Sequence, residues 1–588
     1  GPKRYSPTRT APRAPRRTAA AMPALEARVP GGAKVDDAPS KGAAIDKQHR
    51  SFYDGLDTDG AGAGDAPFAL HVPGEKSVAV GGIERAEHVR RAVIGRDAVF
   101  ATPYGAATRL VYADWAASGR ALQPIEDYIQ HQVLPFYANT HTTTSITGLQ
   151  STCFRLEARQ AIAQACNARV GYSDKHSDVV LFVGSGSTGA INKMVSILGL
   201  NAPLPAGTPS EARPVVLVGP FEHHSNILPW RESHAEVVMI PEGPGGRADK
   251  AALAAALSAY ASRPLVIGSF SAASNVTGVA EDVDGVTEQL HRAGALAFWD
   301  YASAAPYAEV DMNPVRLAPG GGQNPYVYKD AVFVSTHKLA GGPGAPGILV
   351  AKRRIFSNDV PGEVGGGTVF YVTGEDHRYL SNREEREEGG TQDVVGSIRA
   401  GLAFQIKQAV GVPAIAKAEE ALAARLHAAL ATAPGMHVLG PEYEAGSGRL
   451  PIISFVIKAP AGVGAPGAAA RLLHYNFVCA LLNDLFGVQA RGGCACAGPY
   501  VHNLLGISAT ASRRIEEQLL DKAEALRPGF SRISLPYFAS EAEVAYVIEA
   551  VKLVAEFGWR LLPAYRVNPK TGEWKHHTRV TKFPNRQW

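Results

Sequence analysis

Short, nearly uninterrupted apolar runs recur through the middle of this chain, each ending in small or polar residues. Val179–Val183 reads as a buried strand, Gly184–Thr188 as a tight turn, and Gly189 onward, through Ala190, Ile191, Met194 and Val195, as a helix. The unit repeats. Val215–Val218 ends in Gly219-Pro220, Leu265–Ser269 in the loop Ser271–Gly278, Ala295–Trp299 in Asp300, and Ala331–Val334 in Ser335-Thr336-His337-Lys338. Such strands predict a mostly parallel sheet covered on both faces, with ligands bound at the carboxyl ends of its strands. Near residue 400 the pattern changes to alanine-rich helices such as Ala414–Ala431, a strand Ile452–Val456 and a helix over about Glu541–Phe557. The expected organisation is therefore an α/β domain over 76–400 and a smaller α+β domain over 401–560. A leader at 1–75, rich in Ala, Pro, Gly and charge, lacks the pattern of a core. The basic, aromatic tail at 561–588 shows no periodicity and reads either as a docking segment or as disordered chain.

Composition narrows the class. The 588 residues are 46% hydrophobic and 19% charged, as in an ordinary globular enzyme. A net charge of +4, much of it at the ends, gives nucleic-acid binding no support, and no apolar run is long enough to span a bilayer. Cys153, Cys166, Cys479, Cys494 and Cys496 are too few and too irregular for a disulfide framework, which favours a reducing compartment. Before Glu26 the chain carries Lys3, Arg4, Arg9, Arg13, Arg16 and Arg17 and no acidic residue. That reads either as a mitochondrial or plastid transit peptide or as a disordered basic tail.

The strand ends carry the candidate chemistry. Lys338, at the end of a buried strand and among small hydroxyl and glycine residues, suits a Schiff-base lysine, whose amine must be partly desolvated to react near neutrality. Gly184-Ser185-Gly186-Ser187-Thr188-Gly189 can present N–H groups and hydroxyls to a phosphate at a helix start. It also has G-x-G-x-x-G spacing, but the next strand closes on Gly219 where a dinucleotide site wants an acid, which weakens that reading without removing it. Asp300 can pair with a protonated pyridine nitrogen, or simply cap a turn. His223, in Phe221–Asn226, can stack on a flat ring, or belong to a polar loop.

Ten blocks in order resemble class V, pyridoxal-phosphate-dependent enzymes of the fold type I aminotransferase architecture, in the cysteine desulfurase and selenocysteine lyase branch. They are Tyr112–Ala117, Tyr137–His141, Gly186–Asn192, Glu222–Asn226, Ser274–Gly278, Asp300–Ala302, Ser335–Lys338, Gly365–Gly367 with Gly390-Thr391, Arg491–Pro499 and Arg532–Ser534, within about 105–555. The resemblance implies a large domain with a seven-stranded sheet and a homodimer with sites at the subunit interface. It implies that Lys338 anchors the cofactor and shuttles a proton, that Asp300 pairs with the ring nitrogen, and that His223 stacks on the ring. Ser187, Thr188, Ser335 and His337 would hold the phosphate, with Thr391 reaching the same phosphate in the partner subunit. Asn275 and Arg532 would bind the substrate carboxylate, assisted by Arg491.

The resemblance also places a catalytic cysteine at Cys496, in the glycine-flanked segment Arg491–Pro499, where a thiolate would take sulfur from cysteine as a persulfide and release alanine. A sulfur-acceptor protein then becomes a natural partner, and Arg491 can lower the thiol pKa. Two positions depart from the family pattern. Cys494 and Ala495 stand where it has a histidine pair, and Ser303 stands where it has a glutamine contacting the cofactor's phenolic oxygen. The Cys-x-Cys pair reads as a persulfide donor with a second thiol that relays sulfur or forms a disulfide, or as two small residues in a loop. A metal site lacks other clustered ligands. Competing reactions are selenocysteine lyase, C–S lyase, epimerase and aminotransferase, and outside catalysis a scaffold subunit.

Overall fold

The apolar runs become one seven-stranded sheet. In chain order its strands are β1 (Asp178–Val183), β2 (Val215–Val218), β3 (Glu236–Met239), β4 (Val266–Ser271), β5 (Leu296–Asp300), β6 (Ala331–Ser335) and β7 (Gly347–Lys352), arranged β1-β7-β6-β5-β4-β2-β3. The computed structural model describes residues 82–140, 142–171, 177–318, 320–460 and 471–578. The leader with its transit-peptide reading, His141, and the tail beyond 578 lie outside the described residues.

β3, β2, β4, β5 and β6 pair in parallel, while β7 runs antiparallel to both β6 and β1. The mostly parallel expectation is met with one reversed strand. Every residue of β1, β2, β6 and β7 is buried, so helices cover both faces. β1 is an edge strand, and its free backbone groups are met by charged side chains. Glu388 accepts from the Phe182 N–H (2.8 Å), Arg155 (2.5 Å) and Arg159 (2.8 Å), and Arg159 also donates to the Val180 carbonyl. Burial alone would raise the Glu388 carboxyl, but the two guanidinium groups outweigh it and hold it at about 2.

The helix after β1 spans Gly186–Ile197, not Gly189 onward, so Ser187 and Thr188 lie in its first turn. Gly186 makes the turn itself. Its φ is +57°, and a Cβ there would come within 2.7 Å of Ser335 Oγ.

The smaller domain carries an antiparallel sheet of β8 (Met436–Val438), β9 (Ile452–Ile457), β10 (Arg491–Gly493) and β11 (Phe530–Ser534), in the order β8-β9-β11-β10. The helices Val412–Leu430, Tyr475–Phe486 and Glu541–Phe557 pack on it around Leu426, Phe455, Phe477, Leu481 and Val551. Ser540 and Glu543 form a capping box that starts the last helix where the sequence placed it. The two domains are not successive stretches of chain. Val111 and Ala113 belong to the small-domain core, and Val111–Tyr112 pairs in parallel with Val488–Gln489. Conversely, the helix Val394–Val410 packs in the large-domain core, and the chain turns into the next helix at Gly411, φ +91°. The described part of the tail forms a hairpin, Tyr565–Asn568 with Glu573–His576, pinned by the Tyr565 hydroxyl on Asp484 (2.9 Å) and by Trp574 against Phe477.

Candidate active site

The carboxyl ends of β1, β2, β4, β5 and β6 face the β10–β11 edge of the small domain across a cavity of about 790 Å3. All twelve residues singled out from sequence line it: Ser187, Thr188, His223, Asn275, Asp300, Ser335, His337, Lys338, Thr391, Arg491, Cys496 and Arg532. Ser303 lines it as well.

Lys338 closes the single 3-10 turn Thr336–Lys338 that follows β6. Burial lowers its ammonium pKa to about 8, with Arg532 and Arg491 pushing the same way against the Asp300 charge. Asp300 ends β5, and burial raises its carboxyl against bonds from the Ala302 N–H (2.8 Å) and the Ser187 hydroxyl. Burial also takes the His223 imidazole down to about 3, helped by Lys338. His223 Nδ1 accepts from the Ser225 N–H (3.1 Å), which puts the proton of the neutral ring on Nε2. Ser335 Oγ accepts from the Ser187 N–H (2.9 Å) and donates to Ser187 Oγ (3.1 Å), stitching β6 to the helix start. Thr188 Oγ1 shares a 2.6 Å bond with Ser225 Oγ, and His337 Nδ1 faces Ser118 Oγ at 3.3 Å. Thr391 lies on the wall of its own chain's cavity and accepts from the Asn139 amide (3.2 Å).

The small-domain wall is electrostatically distinct. Arg532 on β11 is 2% exposed, with Nη2 on Asp114 Oδ1 (2.7 Å) and Nη1 on the Asn275 carbonyl (2.8 Å). Its Nε is buried and has no hydrogen-bond partner, and the residue lines the cavity. Arg491 reaches the other oxygen of Asp114 (2.9 Å), which commits part of its guanidinium within the protein. Asp114, which clamps both arginines, was within a sequence block but had been given no role there. Glu222 was overlooked in the same way. It is buried beside His223, takes three donors from Ser271 and Asn226, and burial raises its carboxyl to about 7.

Cys496 is exposed and lines the cavity. It sits in a turn closed by the Ala497 N–H on the Cys494 carbonyl (3.0 Å), with Ala495 at φ +47° and Cys496 at φ +55°. Cys494 is half-buried and packs against the cluster of Phe221, Tyr500 and Val501, away from the cavity lining. Both are free thiols.

Residues 111–547 match the aminotransferase class-V family. The chain belongs to that family. Among curated relatives, a probable cysteine desulfurase of Halalkalibacterium halodurans is 27% identical over 413 residues, 68% of this chain and 87% of the relative. A cysteine desulfurase of an Enterobacter species is 27% identical over 394 residues, 66% of this chain and 85% of the relative. Among solved structures, the apo cysteine desulfurase of Thermococcus onnurineus superposes with TM-score 0.58 at 21% identity, covering 76% of this chain and 95% of that one. The S-sulfonic acid form of the cysteine desulfurase CsdA from Escherichia coli gives TM-score 0.58 at 22% identity, covering 80% and 98%. These likenesses establish the fold, a fold type I large domain with a smaller α+β domain.

The class V cavity has the features a pyridoxal phosphate site needs. The lysine amine pKa is lowered to about 8, a buried carboxylate shares its cavity, and hydroxyls cluster at a helix start.

Proposed function

We propose that this chain is a pyridoxal-phosphate-dependent L-cysteine desulfurase that takes the substrate's sulfur onto Cys496. The carrying observation is that exposed Cys496 shares one cavity with the lowered-pKa Lys338 and with Arg532. The family and the names of the relatives support the same reading.

Once bound, pyridoxal phosphate supplies the electron sink for a carbanion at the substrate's α-carbon. Lys338 would hold the group through its Nζ and, when released, would move the proton at the α-carbon. Asp300 would pair with the ring nitrogen, and His223 would offer it a flat uncharged surface. Ser187, Thr188, Ser335 and His337 would bind the phosphate, and Thr391 would join them either from this chain or across a homodimer. The Arg532 Nε and the Asn275 amide orient the substrate carboxylate. The Cys496 thiolate then bonds to the substrate's sulfur as the sulfur–carbon bond breaks, so that cysteine and enzyme thiol become alanine and enzyme persulfide. An acceptor thiol, on a protein or a small reductant, removes that sulfur.

The test is a product assay on the holoenzyme with L-cysteine and a reductant. Alanine and sulfide are expected in equal amounts, and Cys496→Ala should lose both while keeping the cofactor's visible band. Undiminished turnover by that variant, or a keto acid in place of alanine, would overturn the reading.

A further inference from the structure

We propose that His224 is a positioning residue for Cys496, holding the cysteine-bearing turn at the cavity from the opposite domain, a role that rests on the desulfurase reading above. His224 does not line the cavity, so its contribution runs through the turn.

Two successive non-glycine residues, Ala495 and Cys496, lie in the left-handed region that side chains disfavour, so the turn Cys494–Ala497 does not set its own shape. Three hydrogen bonds from the large domain hold it. The Asn275 amide donates to the Ala495 carbonyl (2.7 Å), and the His224 N–H donates to the Cys496 carbonyl (2.7 Å). The Gly498 N–H donates to His224 Nε2 (2.9 Å). His224 thus grips the turn twice, by main chain at the carbonyl of Cys496 itself and by imidazole two residues further on at Gly498. Glycine at 498 permits the approach, since a Cβ there would stand 3.1 Å from His224 Nε2.

The ring must be an acceptor at Nε2, which puts its proton on Nδ1. Burial, with Arg231 adding to it, keeps this imidazole below the usual histidine range and so in the accepting form. The preceding residue, His223, stands in the cavity, so a single dipeptide sets both a flat face and the reach of the thiol. Asn275 gives the turn its third hold, which ties the carboxylate site to the same loop.

The test uses His224→Ala and His224→Gln as holoenzymes. The alanine variant should show kcat for alanine release reduced by about tenfold or more, with KM and the cofactor's visible band unchanged, because Arg532 and Lys338 are untouched. Amide exchange across 494–498 should accelerate in the same variant. Glutamine, whose Oε1 can accept from the Gly498 N–H, should restore both the rate and the protection. Unchanged kcat and exchange in His224→Ala would overturn the proposal, as would a loss that glutamine fails to rescue and that tracks cofactor loss. Should the parent chain release no alanine from cysteine, the desulfurase reading fails. The exchange measurement then still decides whether His224 holds the turn, with unchanged protection counting against it.

Discussion

The two walls of the cavity hold their chemistry by different means. On the large-domain side Asp300, Ser335 and Lys338 stand at or just beyond strand ends, and burial shifts the charge states of Asp300 and Lys338. On the small-domain side Arg532 is as firmly seated on β11, but Cys496 is exposed on a turn in an unfavourable conformation, held by residues of the opposite wall. Groups whose protonation must be set sit on rigid elements, and the group that must reach a substrate atom sits on a loop.

The rigidity of the first wall is open to attack at its edge. Replacing Glu388 with alanine strands two buried guanidinium groups and the Phe182 N–H. Denaturant unfolding should show a loss of about 3–5 kcal/mol. A loss under about 1 kcal/mol would mean that β1 does not depend on this network. The second wall is sharpened by Arg532→Lys, which keeps a charge but removes the guanidinium fork shared among Asp114, the Asn275 carbonyl and an incoming carboxylate. KM for cysteine should rise by roughly 10- to 100-fold, with less change in kcat, corresponding to one lost charge-assisted bond of about 1.5–3 kcal/mol. An unaltered KM would move the carboxylate site elsewhere.

The smallest effect is a titration. On the proposed reading the neutral Lys338 amine takes up the cofactor, and its pKa is lowered to about 8, so its neutral fraction rises with pH and levels off above that value. The rate at which apoenzyme recaptures pyridoxal phosphate should climb about tenfold from pH 7 to a plateau near 9. A rate still climbing above pH 10 would assign Lys338 a solvated amine.

Much of the large-domain wall was legible along the chain because each strand ends in its own candidate residue: Asp300 after Leu296–Trp299, Lys338 after Ala331–Ser335, Ser187 and Thr188 after Val183. The reversed strand β7 and the edge strand β3 were not read out, since an apolar run does not state its direction and a half-buried edge is only weakly patterned. The helix start was placed three residues late, because the turn glycine at 186 has the same local signature as the one at 189. Sequence spacing was no guide to Asp114, whose two arginine partners lie 377 and 418 residues away. The tail hairpin was hidden for a similar reason, since its holds are the ring of Phe477 and the hydrogen bond to Asp484 and not a period of its own.

Local sequence singled out Lys338, Asp300, His223 and the Ser187-Thr188 turn as candidates, because alternation, glycine turns and the residue at a strand's end are properties of neighbours in the chain, and the resemblance to class V enzymes added the others that line the cavity. Only the tertiary structure decided how they work. The lowered Lys338 pKa needs a desolvating cavity assembled from two domains, and the unpaired Arg532 Nε needs Asp114 and Asn275 to occupy the rest of the fork. The family resemblance pointed to Cys496, and only the fold shows the physical reason: the turn held by His224 and Asn275 puts Cys496 on the cavity wall and leaves Cys494 half-buried against Phe221, Tyr500 and Val501.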